Sequence, residues 1–218
     1  GLYRRPQLAD APAIVRDRDG LVTLSAGGLP VRYTLDGAPV TDAAPLYQQP
    51  FALPDGGVVR ARTIAPEDTA AVVLSPAGEA SATFGLAPTG FTVVACSSEQ
   101  GGGEAAAKAI DGDPRTHWHS RYSPDTPKPP HSLTLDLGAV HDLTGFVYTP
   151  RAEGDNGTVA EYAFAVSADG QQWQEVAHGT FGNIANNPVP QVVRFTKPAK
   201  GVRQVRFTSL REVHERAW

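Results

Sequence analysis

The chain has no methionine and a single cysteine, Cys96, among its 218 residues. One cysteine excludes an intrachain disulfide. Within the run FTVVAC it is expected to be a small buried hydrophobic residue rather than a nucleophile. Because methionine is absent, the sequence has no initiator, and we expect it to be a piece of a longer polypeptide.

Long apolar runs, basic stripes and catalytic motifs are also lacking. No stretch approaches the ~20 apolar residues that cross a bilayer, so no membrane span is predicted. The net charge of −4, with basic residues scattered along the chain, argues against a nucleic-acid partner. GxSxG, HExxH and glycine-rich phosphate motifs are missing, and no motif pairs two carboxylates as a glycosidase requires. The chain is therefore predicted to be non-catalytic.

Short apolar runs separated by glycine, proline, aspartate and asparagine make up most of the chain. Examples are LVTLSA, VRYTLD, HSLTLDLG and EYAFAVS, and the chain holds 22 glycines and 19 prolines. This spacing predicts an all-β fold of two β-sandwich domains, with AAAKAI as the one helix-like run. The segment GLAPTG, residues 85–90, predicts a boundary between domains at residues 1–87 and 88–218.

The first half of the chain contains the run RYTLDGAPVTDAAPLYQQPFALPDGGVVRARTI. This run resembles a small sandwich domain known from the C-termini of chitobiase and β-hexosaminidase and from bacterial α-L-fucosidases. The matching positions are Tyr33, Asp36, Gly37, Tyr47, Pro50, Phe51 and Ala61. It implies an immunoglobulin-like spacer domain without chemistry of its own.

The segment DGDPRTHWHSRYSPDTPKPPH, residues 111–131, is the first candidate site. His117 and His119 would point to the same side of a strand, but zinc needs at least a third protein ligand. Asp111, Asp113 and Thr116 offer hard oxygens suited to calcium, although the spacing excludes an EF-hand. An Asx-turn in which the Asp111 side chain caps its own backbone explains the same residues equally well.

A sugar site needs a flat apolar face and a few directional polar groups. Arg151 and Asn156 lie in the loop TPRAEGDNGT, where the strand pattern requires neither of them. Phe181, in HGTFGNIANN, is either a core residue or a stacking platform. Tyr122 is either part of the rim of a site or a packing residue.

The second half of the chain contains four motifs in order, KAIDGDPRTHWH, PKPPH, PRAEGDNG and SADGQQW. Together they resemble the discoidin-like carbohydrate-binding modules, which are relatives of the coagulation-factor C-type domain and include the N-terminal domain of galactose oxidase. The resemblance implies a jelly-roll sandwich that binds a galactose-type sugar. The implied sugar-binding residues are His119, Arg151, Asn156 and Phe181, with Glu153 as a further contact.

The same resemblance implies a structural calcium or sodium ion. Its ligands would be the Asp111 side chain, the Thr116 hydroxyl and main-chain oxygens of Lys108, Asp113 and Thr116. Relatives continue beyond the position of Trp218 with a final strand, whose alanine carbonyl and glutamate complete the ion site. We expect that strand to follow in the longer polypeptide.

These observations predict a module that targets an attached catalytic domain to glycans with terminal galactose or a related sugar. The parent is expected to be a secreted, periplasmic or cell-surface glycosidase, with an α-L-fucosidase favoured over a β-hexosaminidase. Two other functions stay open: a discoidin domain that binds lipid or protein in adhesion, and a structural accessory domain that has lost sugar binding. The loops carry Arg, Asn and Gly rather than paired large apolar residues, which favours sugar.

Overall fold

The computed structural model describes residues 10–64, 78–151 and 153–217. The chain forms two compact units, divided between Ala87 and Pro88. Strands dominate both units, which confirms the all-β prediction. The helices of the described residues are 3-10 turns of three to five residues, and none has the length or hydrophobicity to cross a bilayer.

The first unit consists of two three-stranded antiparallel sheets. One sheet has the order β1-β2-β4, with β1 at Ala13–Arg16, β2 at Leu21–Ser25 and β4 at Phe51–Ala52. The other has the order β3-β5-β6, with β3 at Val31–Thr34, β5 at Gly57–Thr63 and β6 at Glu79–Phe84.

The core of the first unit follows from alternation along its strands. In β2, Val22 and Leu24 are buried while Leu21 is exposed. Burying one face of each sheet in this way is what a sandwich requires. Most of the core consists of the buried residues Val22, Leu24, Val31, Val59 and Ala61, against which Tyr33, Tyr47 and Phe51 pack.

The second unit is built on a five-stranded antiparallel sheet with the order β10-β9-β11-β8-β7. The strands are β7 at Thr92–Cys96, β8 at His131–Tyr148, β9 at Val159–Ser167, β10 at Gln174–Thr180 and β11 at Gln191–Glu212. The 3-10 helices are η1 at Pro88–Gly90, η2 at Gly102–Glu104 and η3 at Ala106–Ile110. The helix-like run AAAKAI is thus a 3-10 turn.

Two strands of the second unit are much longer than the sequence runs suggest. HSLTLDLG and LTGFVYTP together form β8, and QVVRFT and QVRFTSL together form β11. The two strands pair along both ends, and the register shifts between Arg194 and Gln204. Such irregularities bend paired strands, so β8 and β11 change direction together along their length.

Two groups of side chains fill the second core. The first contains Leu137, Phe164, Val166, Phe195, Val202 and Val205. The second contains Val159, Tyr162, Phe181 and Ile184. Phe146 packs against both groups and stacks on Phe164 with the ring centroids 4.3 Å apart. The aromatic stack therefore continues beneath the loop that follows β8.

Candidate functional site

The three polar residues predicted to bind sugar lie on two segments of the second unit. His119 lies between η3 and β8, whereas Arg151 and Asn156 lie in the loop between β8 and β9. The ends of this second loop are joined because the Val159 N–H donates to the Tyr148 hydroxyl (3.1 Å). The loop therefore leaves and rejoins the sandwich at one place.

His119 lies at the base of the site and is only 6% exposed. Its Nδ1 is 2.7 Å from the Ser120 carbonyl oxygen. Since a carbonyl can only accept, Nδ1 carries the proton, and in the neutral ring Nε2 is an acceptor. Main-chain bonds to Gln100 and Glu104 fix the position of the residue.

Arg151 organises its own loop. Its Nε donates to the Glu153 carbonyl (2.6 Å), and its Nη1 donates to the Asn156 carbonyl (3.1 Å). These two bonds close the loop around the guanidinium. Nη2 bonds to none of the described residues, so it is free to donate to a ligand.

Asn156 is exposed and its side-chain oxygen accepts a hydrogen bond from Arg216 Nη1. The neighbouring Asp155 contacts His214 Nε2 (2.6 Å) and Arg216 Nη1 (3.4 Å). The hydrogen bond from His214 is the main cause of a lowered pKa at Asp155. The turn after β11 thus holds the tip of the loop that carries Asn156.

Gly157 is the point where these residues meet. Its φ is +73°, and a Cβ atom at this position would lie 3.1 Å from His119 Nε2. Only glycine combines this left-handed backbone with so close an approach. Arg151 donates to the carbonyl of Asn156, and His119 Nε2 lies beside Gly157. The three residues His119, Arg151 and Asn156 therefore converge on the peptide unit between residues 156 and 157.

Glu153 is exposed in the same loop, where its carbonyl accepts from Arg151. Its carboxylate forms no ion pair with the described residues. Glu153 therefore lies beside the site, and only its main-chain carbonyl bonds to a residue of the site.

Phe181 does not have the position that a stacking platform requires. It is 8% exposed and belongs to the core, where its ring stacks on Tyr148 (5.0 Å) and Tyr162 (4.5 Å). Its N–H also bonds to the Ala160 carbonyl. Small polar neighbours in sequence suggest an exposed Phe181, but the loop folds it inward, and the prediction of a platform here is wrong.

Tyr122 and Glu104 complete the neighbourhood of His119. The Tyr122 hydroxyl donates to Glu104 Oε2 (2.8 Å), and its ring is perpendicular to that of His119 at 5.1 Å. The other Glu104 oxygen lies 3.2 Å from His117 Nε2. No local sequence pattern marks Glu104, in GGGEAAAK, or Arg216, in the last turn, as a neighbour of the candidate site. The sequence leaves Tyr122 open between rim and packing, and its exposure shows that it is not packed in the core.

The loop after η3 brings together the oxygens expected to hold an ion. Thr116 Oγ1 lies 2.7 Å from Asp111 Oδ2 and 3.1 Å from the Asp113 carbonyl oxygen. The Asp111 carboxylate also bonds the Asp113 N–H (2.9 Å), which is the Asx-turn geometry. Lys108 Nζ reaches the same carboxylate at 3.3 Å. The turn and the oxygen cluster are thus features of one loop.

The two carboxylates of this loop have different surroundings. Partial burial would raise the pKa of Asp111, but hydrogen bonds from Asp113, Thr116 and Lys108 outweigh burial and lower it. The Arg115 side chain bonds Asp113 and lowers the pKa of that carboxyl to about 2. Only the Asp111 carboxylate faces the cluster. Within the described residues, no three His, Cys, Asp or Glu side chains are grouped as metal ligands.

Two family models match the chain. The model described as "F5/8 type C domain" matches residues 93–218, and the model described as "Fn3 associated" matches residues 22–76. The two matches lie in different units of the fold.

Two curated relatives share part of the sequence. A sialidase from Micromonospora viridifaciens is 35% identical over 151 residues, which is 65% of this chain and 23% of that protein. Galactose oxidase from Gibberella zeae is 36% identical over 118 residues, or 53% of this chain and 17% of that protein. The chain therefore spans less than a quarter of the length of either relative.

Solved structures of carbohydrate-binding modules match more than half of the chain. CpGH89CBM32-5 from Clostridium perfringens, in complex with GalNAc-β-1,3-galactose, is 29% identical with a TM-score of 0.52, covering 58% of this chain and 88% of that chain. The family 32 carbohydrate-binding module of C. perfringens NanJ, in complex with galactose, is 26% identical with a TM-score of 0.52, covering 59% and 88%. These matches confirm the predicted discoidin-like fold.

The F5/8 type C match covers more than half of the chain and includes both loops of the site. The motifs, the antiparallel sandwich and the similar structures agree with it. Through residues 93–218, this chain belongs to the F5/8 type C, or discoidin-like, domain family.

Proposed function

We propose that this chain is a non-catalytic carbohydrate-binding module that recognises a terminal galactose-type sugar. The observation that carries the proposal is the convergence of His119, Arg151 and Asn156 on one peptide unit. Two similar modules, 29% and 26% identical, were solved with sugars that contain galactose. Their likeness supports a sugar as the ligand of this loop cluster.

The three side chains offer complementary bonds to a pair of neighbouring hydroxyl groups. His119 Nε2 accepts a hydrogen bond from one hydroxyl, while Arg151 Nη2 donates to hydroxyl oxygens. The Asn156 amide nitrogen donates as well, because its oxygen is taken by Arg216. A pyranose hydroxyl both donates and accepts hydrogen bonds. Two adjacent hydroxyls can therefore pair with the one acceptor and the two donors that these side chains offer.

Calorimetric titration with methyl β-galactoside tests the proposal. We expect Arg151→Ala to weaken binding by roughly 10- to 100-fold, because a hydrogen bond to a charged group contributes about 1.5–3 kcal/mol. His119→Ala removes a neutral acceptor, whose hydrogen bond contributes about 0.5–1.5 kcal/mol, and should weaken binding by roughly two- to tenfold. His178→Ala and Arg194→Ala are matched controls at exposed strand positions and should bind like the wild type. Unchanged binding in both site variants would contradict the site.

We also propose that the module holds an attached, secreted glycosidase near its glycan, and that an α-L-fucosidase is a better candidate for this parent than a β-hexosaminidase. The support is the resemblance of the run from Arg32 to Ile64 to sandwich domains of such enzymes, together with a similar module, 32% identical, that comes from a family 31 glycoside hydrolase. Even weak sugar binding raises the local substrate concentration of a tethered enzyme. The coding sequence upstream of Gly1 tests the parent: a fucosidase catalytic domain there supports the ranking, and any other domain overturns it.

A calcium ion, with sodium as a competitor, is our proposal for the loop after η3. Asp111 Oδ2, Thr116 Oγ1 and the Asp113 carbonyl already lie together, and hard oxygens of this kind suit calcium. The Lys108 carbonyl and further oxygens would complete the six to eight that calcium takes. When bound, the ion would neutralise the carboxylate and stiffen the loop that leads to His119. Calcium should raise the melting temperature and a chelator should reverse the rise. No change would contradict the proposal.

A further inference from the structure

We propose that the outer face of the five-stranded sheet carries a second ligand site, centred on Arg206, which binds the carboxylate of an acidic sugar. A shallow pocket of about 370 Å³ opens on this face, among residues of β7, β8 and β11 and their ends. Its volume suits a small ligand. The pocket does not involve the loops that carry His119 and Arg151, so this inference is independent of the proposed galactose site.

The pocket follows from the alternation of side chains along two paired strands. Leu135, Val205 and Phe207 pack into the first core group, so the residues that flank them point to the outer face of the sheet. The outward side chains of β8 and β11 that line the pocket are Ser132, Thr134, Arg206 and Thr208. Thr134 pairs with Arg206 and Ser132 pairs with Thr208, so hydroxyl groups surround one guanidinium.

The Arg206 guanidinium is held in place by two contacts. Its Nε donates to Thr134 Oγ1 (3.2 Å), and Thr134 is itself buried. Its central carbon lies 3.9 Å from the centroid of the Trp173 ring, which is a cation–π contact. A guanidinium fixed in this way loses little conformational freedom when a ligand binds, which favours affinity.

The charge of Arg206 has no counter-charge in the part of the chain that the structure describes. Its two terminal nitrogens, Nη1 and Nη2, bond to none of those residues. Other arginines of β11 are paired: Arg203 with Asp136 (2.7 Å) and Arg211 with Glu161 (3.3 Å). A half-buried guanidinium with unused donors is an arrangement that a bound anion stabilises.

Nothing that lines the pocket opposes an anion. Its lining contains no carboxylate. Burial raises the pKa of the Cys96 thiol at its edge, and nearby Glu99 raises it further, so this thiol is uncharged at neutral pH. The next acid on this face of β8 is Asp136, which Arg203 neutralises. The local charge of the pocket is therefore that of Arg206.

The lining also indicates the class of anion. The terminal nitrogens of Arg206 match the two oxygens of a carboxylate, which they would hold with parallel hydrogen bonds. The Ser132 and Thr208 hydroxyls bond to none of the described residues, and each can both donate to and accept from a sugar hydroxyl. A monosaccharide that carries a carboxylate, either a hexuronate or a sialic acid, presents both kinds of group.

Calorimetric titration of the wild-type full chain tests the site without any variant. The probes are methyl β-glucuronide, the methyl α-glycoside of N-acetylneuraminic acid, and neutral methyl β-glucoside. We expect an acidic sugar to bind, with affinity that falls as sodium chloride is added, and the glucoside to bind at least about tenfold more weakly than the glucuronide. The acidic sugar that binds more tightly identifies the source of the carboxylate.

Variants then assign the binding to Arg206. Arg206→Met keeps an apolar side chain over Trp173 and should weaken binding of the acidic sugar at least about tenfold, whereas Arg206→Lys keeps the charge without the fork and should lose less. Arg194→Met, at an exposed position of the same strand, is the matched control and should bind like the wild type. Melting temperatures show whether each variant is folded.

Two milder variants test the site even if Arg206→Met does not fold. Ser132→Ala and Thr208→Val each remove a hydroxyl from the surface of the sheet and leave the guanidinium in place. Each should weaken binding of the acidic sugar by roughly two- to fivefold. Wild-type affinity in both, or in folded Arg206→Met, would contradict the proposal.

The remaining outcomes separate this site from the loop site. If neither acidic sugar binds the wild type, or if methyl β-glucoside binds as tightly as the glucuronide, the Arg206 site is wrong. If Arg151→Ala abolishes binding of the acidic sugar, or if methyl β-galactoside displaces it, the ligand occupies the loop site and the Arg206 site is again wrong. Failure of methyl β-galactoside to bind would overturn the proposed function alone.

Discussion

Arg216 Nη1 donates a hydrogen bond to the side-chain oxygen of Asn156, across sixty residues of sequence. This contact fixes the orientation of the amide, because the oxygen is held by the guanidinium and the nitrogen must face away. In the proposed sugar site, Arg216 would therefore act as a positioning residue that leaves the Asn156 amide nitrogen to donate to the ligand.

Arg216→Met should weaken galactoside binding by about three- to tenfold, since the amide is then free to flip. Asn156→Asp, which keeps a partner for Arg216 but replaces the outward donor by an acceptor, should weaken binding at least as much. Calorimetry measures both, with Arg194→Met as the control at an exposed position. Wild-type affinity in Arg216→Met would show that the contact has no part in recognition.

Gly157→Ala should damage the site through a steric effect on His119. The new Cβ would lie 3.1 Å from Nε2 and would also sit at a φ of +73°. Gly201→Ala is a matched control, because Gly201 has a φ of +64° but a Cβ added there would meet no atom within 4 Å. Both changes should cost about 1–2 kcal/mol of backbone strain, measured by urea unfolding. Only Gly157→Ala should also lose galactoside affinity, and equal losses in both would contradict the close approach.

Glu104→Gln should reduce the acid sensitivity of the second unit. The folded-state pKa of Glu104 is lowered, so its stabilising effect is complete above the unfolded value of about 4.3 and is lost as pH falls through the folded pKa. The wild type should therefore lose thermal stability below about pH 4. Glu104→Gln should melt a few degrees lower at pH 7 and show a shallower fall at acidic pH. Parallel melting curves against pH would contradict a role for this carboxylate.

Asp111→Ala and Asp113→Ala should respond differently to calcium. Asp111 presents its carboxylate to Thr116, whereas the Asp113 carboxylate bonds Arg115 and only its carbonyl faces the cluster. A calcium-induced rise in melting temperature should disappear in Asp111→Ala and persist in Asp113→Ala. The reverse pattern would show that the ion is assigned to the wrong carboxylate.

Phe181→Ala should act on stability rather than on recognition. Deleting a buried phenylalanine costs about 3–5 kcal/mol, because it leaves a cavity beside Tyr148 and Tyr162. Denaturant unfolding should show this loss. Galactoside affinity per folded molecule should stay within about twofold of wild type. A loss of affinity without the loss of stability would show that Phe181 contributes to sugar binding.

The fold and the site differ in how much the sequence reveals. Alternation in runs such as LVTLS predicts the sandwich because burial of one sheet face is a local, period-two property. The joining of two runs into β8 or β11 is less visible, because bends leave an apparent break in the pattern.

The candidate site depends on contacts between distant segments. Motifs in the sequence point to His119, Arg151 and Asn156, and the structure brings them to one peptide unit. Arg216 and Glu104 have no local signal, because each acts through a partner far away in sequence. The sequence misplaces Phe181 for the same reason, since neighbouring residues do not reveal which way a loop folds.

The hydrogen bond from the Val159 N–H to the Tyr148 hydroxyl closes the base of the loop between β8 and β9. It thereby separates the sandwich from the loop residues above it. Both ends of the intervening segment are secured by groups outside it, above a closed aromatic stack. Residues of this segment can therefore be exchanged without disturbing the sandwich beneath it, and under the proposed function such exchanges would change which saccharide is bound.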